Sequence, residues 1–169
     1  FSSAEQQALD LLTRGAGEAF NIDREPKAIR DRYDTSSYRT GKKNFEPSII
    51  GKQFLMARRL IEAGCGFVTV QSAGWDMHAD GNNPAVKEGM EMLGRPLDKG
   101  LSAFITDLRE RGLLDRTMIV LTGDFGRTPK INARGGRDHW SNLCTLALLG
   151  GGFRTAQVIG RSARNNDVP

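Results

Sequence analysis

Apolar residues recur along two long stretches at intervals of three or four positions, the spacing that places them on one face of a helix. The first stretch begins after Pro47 and ends at Gly64, and Arg58 lies off its apolar stripe. The second begins at Pro96 and ends near Gly112. Shorter helices are predicted at 3–14, with Ser2 or Ser3 as the cap, at 24–33, and from 83 to an interruption near 94.

Two other stretches are short, continuous and rich in residues that favour strands. Residues 67–71 and 118–121 are each bounded by turn residues, which predicts two buried strands. A further apolar run at 142–149, and a short one at 156–159, would add strands. The long helix between the first two strands is sufficient for a crossover between parallel strands. The predicted fold class is therefore α/β, with a mostly parallel sheet flanked by helices.

The 169 residues are enough for one domain with a sizeable core. We predict one partial domain over 1–169, with peripheral helices and a loop at 1–46 and a βαβ core at 47–160. Because the chain starts at Phe1 and no closing element follows its last strand, we expect a fragment of a longer protein. Cys65 and Cys144 fit no metal-binding or redox spacing, so free buried thiols are expected and a disulfide stays open.

The net charge of +4 comes from arginines and lysines spread over several segments. No basic cluster is interleaved with aromatic residues, so a nucleic-acid partner is not expected. No apolar run reaches the length of a membrane span. A mild positive charge suits an anionic substrate, although a solvated surface explains it equally simply.

Polar loops that carry aspartate and histidine follow both predicted strands. Asp76 and His78 follow the first, whereas Asp124, Asp138 and His139 follow the second. Loops after the carboxyl ends of neighbouring parallel strands meet at one edge of a sheet, where open α/β folds bind ligands. Carboxylates and imidazoles are ligands of divalent metals such as zinc, manganese or magnesium. A histidine beside an aspartate is also common as a surface pair, so the prediction depends on the two loops meeting.

Two arginines accompany these candidate ligands. Arg127 and Arg137 could hold an anionic oxygen through two parallel hydrogen bonds, which lysine does less well. Asp138 and His139 are adjacent, so we expect one to bind the metal and the other to contact substrate or a second ion. A bound metal could then polarise a phosphoryl or sulfuryl oxygen.

Several ordered motifs resemble the bacterial domain-of-unknown-function family 1501 over most of the chain. They are Met56–Gly64, Phe67–Val70, Gly74–His78, Arg111–Asp115, Asp124–Pro129, Gly135–Trp140, Gly150–Arg154 and Gln157–Gly160. That family is in turn similar to the alkaline-phosphatase and sulfatase superfamily, which implies an alkaline-phosphatase-like core with a metal site at the strand ends. Its members are typically exported, so the resemblance implies a periplasmic or secreted protein.

The resemblance also assigns roles by position. Asp76, His78, Asp124 and His139 would bind a divalent metal (zinc, calcium, manganese or magnesium). Beside them, the residue types themselves predict that Arg127 and Arg137 hold the anion and that Asp138 binds the metal or orients a neighbouring group, and these three are the predicted catalytic residues. Phe125 stands where related motifs carry a second ligand, and the nucleophile of the superfamily lies on a strand absent from this chain.

Two functions follow from these observations. The first is a metal-dependent hydrolase of sulfate or phosphate esters, acting on a small anion or a sulfated or phosphorylated glycan and incomplete in this fragment. The second is a non-catalytic exported protein, metal-stabilised or carbohydrate-binding, that keeps the fold.

Overall fold

A computed structural model describes residues 2–3, 5–6, 9, 16–41, 46–154 and 156–164. Its helices are α1 (Ala16–Ala19), α2 (Lys27–Tyr33), α3 (Ile50–Glu62), α4 (Val86–Gly89) and α5 (Arg95–Glu110). Its strands are β1 (Arg39–Thr40), β2 (Glu46–Pro47), β3 (Met118–Leu121), β4 (Gly126–Arg127), β5 (His139–Trp140) and β6 (Ala147–Gly150). Short 3₁₀ turns lie at Ile22–Arg24 and Leu114–Arg116.

The hydrophobic core lies between α3 and α5, as their apolar stripes predict. Phe54 and Phe104 place their ring centroids 5.4 Å apart across this interface. Leu55 and Leu108 are 2% and 0% exposed beside them. Tyr33 brings the end of α2 into the same cluster. The two long helices are therefore confirmed, and they form the surface on which the rest of the chain packs.

Helix boundaries differ from the predictions in detail. The predicted interruption near residue 94 is a π-helical turn, Met90–Gly94, which joins α4 to α5 without a break. Pro96 lies in the first turn of α5, where its missing amide hydrogen is tolerated. Most of the predicted helix at 3–14 lies outside the described residues, but Ser2 accepts a hydrogen bond from the amide of Glu5 and therefore caps its start.

A buried group of charges joins the helices behind the apolar core. Arg58 is 0% exposed, and its guanidinium contacts Asp107 at 2.9 Å and Glu25 and Glu62 at 2.7 Å. Burial raises the pKa of Glu25, but hydrogen bonds from Arg58 and Arg59 outweigh that effect and hold it below its usual range. Burial beside the Asp107 carboxylate raises the pKa of Tyr33, whose hydroxyl donates to Asp107 at 3.0 Å.

The described strands pair only antiparallel. β3 pairs with β6, so that Val120 lies opposite Leu148, and the pairs β1–β2 and β4–β5 are likewise antiparallel. The predicted parallel pairing of 67–71 with 118–121 is not found among the described residues. Residues 67–71 and 156–159 form no strand, and no described strand pairs with either segment. The coarser part of the predicted fold class is correct, because the described residues form both helices and strands.

The prediction that 118–121 and 142–149 are buried is wrong. One side of the ribbon formed by β3 and β6 packs on the helices through Ile119. The other side is exposed at Met118 (56%), Val120 (47%) and Leu148 (46%). A continuous apolar run is typical of strands covered on both faces, which is why the sequence favoured burial. Cys65 and Cys144 are both free, and Cys144 is exposed.

The buried charges give a stability prediction. Arg58→Ala should lower the free energy of unfolding by about 3 kcal/mol, because it removes the buried guanidinium that Glu25 and Asp107 share and leaves only the less buried Arg59 and Arg111 to compensate them. Urea unfolding at neutral pH measures this change. The control is Arg30→Ala, whose pair with Asp23 is exposed on both sides and should contribute less than about 1 kcal/mol. Equal effects of the two substitutions would contradict the assignment of the Arg58 cluster.

Candidate metal centre

Three side chains from two distant parts of the chain converge on one point. The Nε2 atoms of His78 and His139 lie 3.0 Å apart. Asp76 Oδ1 is 3.3 Å from the first of these nitrogens and 3.1 Å from the second. The three residues form a group in which every candidate ligand atom lies within 4.8 Å of the others. We call this group the triad.

Asp76 and His78 reach the triad because the residue between them is anchored. Met77 is 7% exposed and packs so closely on Gly89 that a Cβ atom there would lie 2.7 Å from Met77 Cγ. This packing fixes the backbone against the start of the π-helical turn. The Asp80 carboxylate then accepts hydrogen bonds from the amides of Asn82 and Asn83, which closes the loop and lowers the pKa of Asp80 to about 2.

His139 reaches the triad on β5. It is the register partner of Arg127 on β4. Side chains directly opposite each other in an antiparallel pair point to the same face, so the arginine and the histidine approach the same point. Gly126 is required beside this pair, since a Cβ atom there would lie 1.6 Å from the carbonyl oxygen of Leu143.

Asp138 fixes the tautomer of His78. Its Oδ1 lies 3.2 Å from Nδ1 of the imidazole. An ionised carboxylate can only accept, so Nδ1 carries the hydrogen and Nε2 keeps its lone pair. The Nη1 group of Arg127, 3.2 Å from that Nε2, donates to it and requires the same tautomer. The imidazole therefore turns its Nε2 lone pair, which accepts from Arg127, toward the triad, and a neutral imidazole with such a lone pair is the form that binds metals.

Arg127 lies directly against the triad. Its Nη2 group donates a hydrogen bond of 2.5 Å to Asp76 Oδ1. This hydrogen bond, together with one from His139, lowers the pKa of Asp76 below its usual range. The carboxylate is therefore ionised at neutral pH, and a guanidinium stands beside the position that a bound ion would take.

An aromatic side chain forms one wall of the group. The Phe125 ring packs at 4.4 Å from the His139 ring, tilted by 52°. The Arg127 guanidinium carbon lies 5.7 Å from the centre of the same phenyl ring. Phe125 thus contacts both a triad residue and the neighbouring cation, and it offers no ligand atom.

The spacing of the triad fits a divalent metal. Ligand atoms about 2.1 Å from a tetrahedral zinc lie about 3.4 Å from one another, and cis ligands of an octahedral ion lie about 3.0 Å apart. The observed separations of 3.0–3.3 Å fall in this range. The side chain of His78 is 18% exposed, whereas those of Asp76 and His139 are about half exposed, so a substrate could reach the group.

Two predicted site residues, Asp124 and Arg137, have no side-chain hydrogen bond to the triad among the described contacts. Asp124 Oδ1 accepts a hydrogen bond from the amide of Phe125, the next residue, at 3.0 Å. Arg137 is half-buried, and its Nε atom has no hydrogen-bond partner among the described residues. Their roles as metal ligand and anion holder stay predictions. Asn132, whose side chain donates to the backbone carbonyl of His78, is not among the predicted site residues, and its only signal in the sequence is its place in a Gly-rich turn.

Comparison with known proteins places the chain in one family. The family described as "Protein of unknown function (DUF1501)" matches residues 1–167. No curated protein and no solved structure matches the chain. Among the described residues, no helix is both long and apolar enough to cross a membrane. The match covers nearly the whole length, and the chain therefore belongs to the DUF1501 family of proteins of unknown function.

Proposed function

We propose that this chain contributes a divalent-metal site to a hydrolase of sulfate or phosphate esters. The observation that carries the proposal is the convergence of Asp76, His78 and His139 at 3.0–3.3 Å, with Arg127 beside them. A divalent cation held there would supply Lewis-acid polarisation of an ester oxygen. Tetrahedral oxyanions also suit a guanidinium, which binds two oxygens at once.

Each side chain has a distinct part in this proposal. Asp76, His78 and His139 bind the metal, and Asp138 orients His78 through its Nδ1 hydrogen. Arg127 contacts Asp76 in this structure, and it would be available to the anionic oxygens of a substrate once the carboxylate held a metal. Its position beside the triad supports this exchange, because one guanidinium serves either anion.

The alkaline-phosphatase-like core, the periplasmic or secreted location and the sulfated or phosphorylated glycan substrate rest on the family resemblance. These three statements are therefore also part of the proposal. In a longer protein of that class, further strands would cover the exposed side of β3 and β6 and would bring a nucleophile toward the triad.

A second function is favoured by one observation. Phe125 fills the side of the site where a second metal ligand would stand, and Asp124 contacts its own backbone neighbour. A protein with one metal could use it for stability or for carbohydrate binding alone. Such a protein would need the triad but would have no use for Arg127 as an anion-binding group.

The first test concerns the metal. His78→Ala and His139→Ala should each weaken zinc binding by more than about 100-fold, because loss of a ligand exceeds the 10–100-fold effect of losing a ligand's hydrogen-bond partner. Competition with a chromophoric chelator measures the dissociation constants. Asp115→Ala is the matched control, since it removes an exposed carboxylate that has no part in the proposed site. If zinc binds the two histidine variants as tightly as the parent, the proposed site does not exist.

The second test separates the two functions. In the metal-loaded protein, Arg127→Met should weaken binding of inorganic sulfate about 10- to 100-fold, the equivalent of one charge-assisted contact. Calorimetry measures the affinity. Arg134→Ala removes the same charge from an exposed position on the adjacent loop and controls for net charge. If both variants bind sulfate equally well, Arg127 is not an anion-binding residue and the non-catalytic function is favoured.

A further inference from the structure

One loop holds His78 from both sides of its backbone. The loop spans 128–138, and we call it the clamp loop. The amide of Arg137 donates to the carbonyl of Met77 at 2.9 Å, immediately before the histidine. The side-chain amide of Asn132 donates to the carbonyl of His78 itself at 3.1 Å. The same loop supplies Asp138 to the imidazole ring.

Asn132 also shapes the clamp loop from within. Its Oδ1 accepts hydrogen bonds of 3.0 Å from the amides of Arg134 and Gly136. Its own backbone amide donates to the carbonyl of Gly136 at 2.8 Å. One side chain thus organises the turn and attaches the turn to His78. The side-chain amide serves both functions, because its oxygen accepts and its nitrogen donates.

Gly136 allows the clamp loop to approach the histidine. A Cβ atom at this position would lie 2.1 Å from the carbonyl oxygen of His78 and 2.8 Å from the amide nitrogen of Ala79. Ala79 has a φ of 58°, in the left-handed region that residues other than glycine rarely adopt. Such a conformation persists only where surrounding contacts hold it, and this one lies directly after the ligand.

We propose that Asn132 and Gly136 are positioning residues for the metal site, and this inference rests on the proposed function. The clamp loop begins one residue after Arg127 and ends one residue before His139. By attaching itself to the backbone of His78, it sets the separation of the two Nε2 atoms. Hydrogen-bond partners that fix the orientation of a ligand typically change metal affinity 10- to 100-fold.

The experiment compares Asn132→Ala and Gly136→Ala in two measurements. The first is the zinc dissociation constant, which should rise about 10- to 100-fold in each variant. The second is the tautomer of His78 in the metal-free protein, read from the ¹⁵N shifts of the imidazole. The chain has two histidines, so His139→Ala assigns the signals. The parent should show His78 with its hydrogen on Nδ1, and both variants should show a mixture.

The controls are matched to each substitution. Lys130→Ala truncates an exposed side chain of the clamp loop, and Gly81→Ala adds a Cβ atom where nothing lies within 4 Å. Both should keep the parent's affinity and tautomer. Circular dichroism shows whether each variant is folded. If Asn132→Ala does not fold, Gly136→Ala still tests the inference, because it retains every polar group.

The outcomes separate the inference from the function on which it rests. If the parent binds zinc and both variants match it in affinity and tautomer, the positioning role is overturned. If the parent binds no zinc, the proposed function fails, while the tautomer measurement still decides whether the clamp loop orients His78.

Discussion

The candidate site depends on a pair of hydrogen bonds between two stretches of chain that lie more than fifty residues apart. The carbonyls of Met77 and His78 accept hydrogen bonds from Arg137 and Asn132, and this pairing brings the first histidine beside the second. The side-chain contacts of Asp76 with Arg127 and of His78 with Asp138 join the same two stretches, but these two hydrogen bonds are the ones that hold the backbone on either side of His78. Rigid support of this kind is what a metal site needs, because ligands must be held within a fraction of an ångström.

The sequence predicted the meeting of the two loops for a reason that the structure does not share. Convergence of Asp76 and His78 with His139 was expected from neighbouring parallel strands. Instead, the antiparallel pair of β4 and β5 orients His139, and the clamp loop draws His78 toward it. The residue types did indicate metal-binding chemistry, because aspartate and histidine are concentrated in these two loops. The pairing that joins those loops uses backbone carbonyls, which every residue carries, and one backbone amide; its single side-chain donor, Asn132, stands in no pattern that marks it.

The helical core was more predictable than its charges. The apolar stripes of α3 and α5 identified Phe54 and Phe104 as core residues, and these rings do pack together. Arg58 lay off the stripe and yet is the most deeply buried charge among the described residues. Its partners Glu25 and Asp107 lie on other elements, so only the tertiary arrangement shows that the charge is compensated. Local periodicity cannot distinguish such a residue from one on a solvated face.

The central claim is that Asp76, His78 and His139 bind one divalent ion. It is tested most directly by a crystal structure of the zinc-loaded protein with anomalous diffraction at the zinc edge. The account predicts a single strong peak about 2.0–2.2 Å from the Nε2 atoms of both histidines and from a carboxylate oxygen of Asp76. Two results would contradict it. One is an anomalous peak on other residues, and the other is a triad that stays as it is in the metal-free protein while zinc fully occupies a different site.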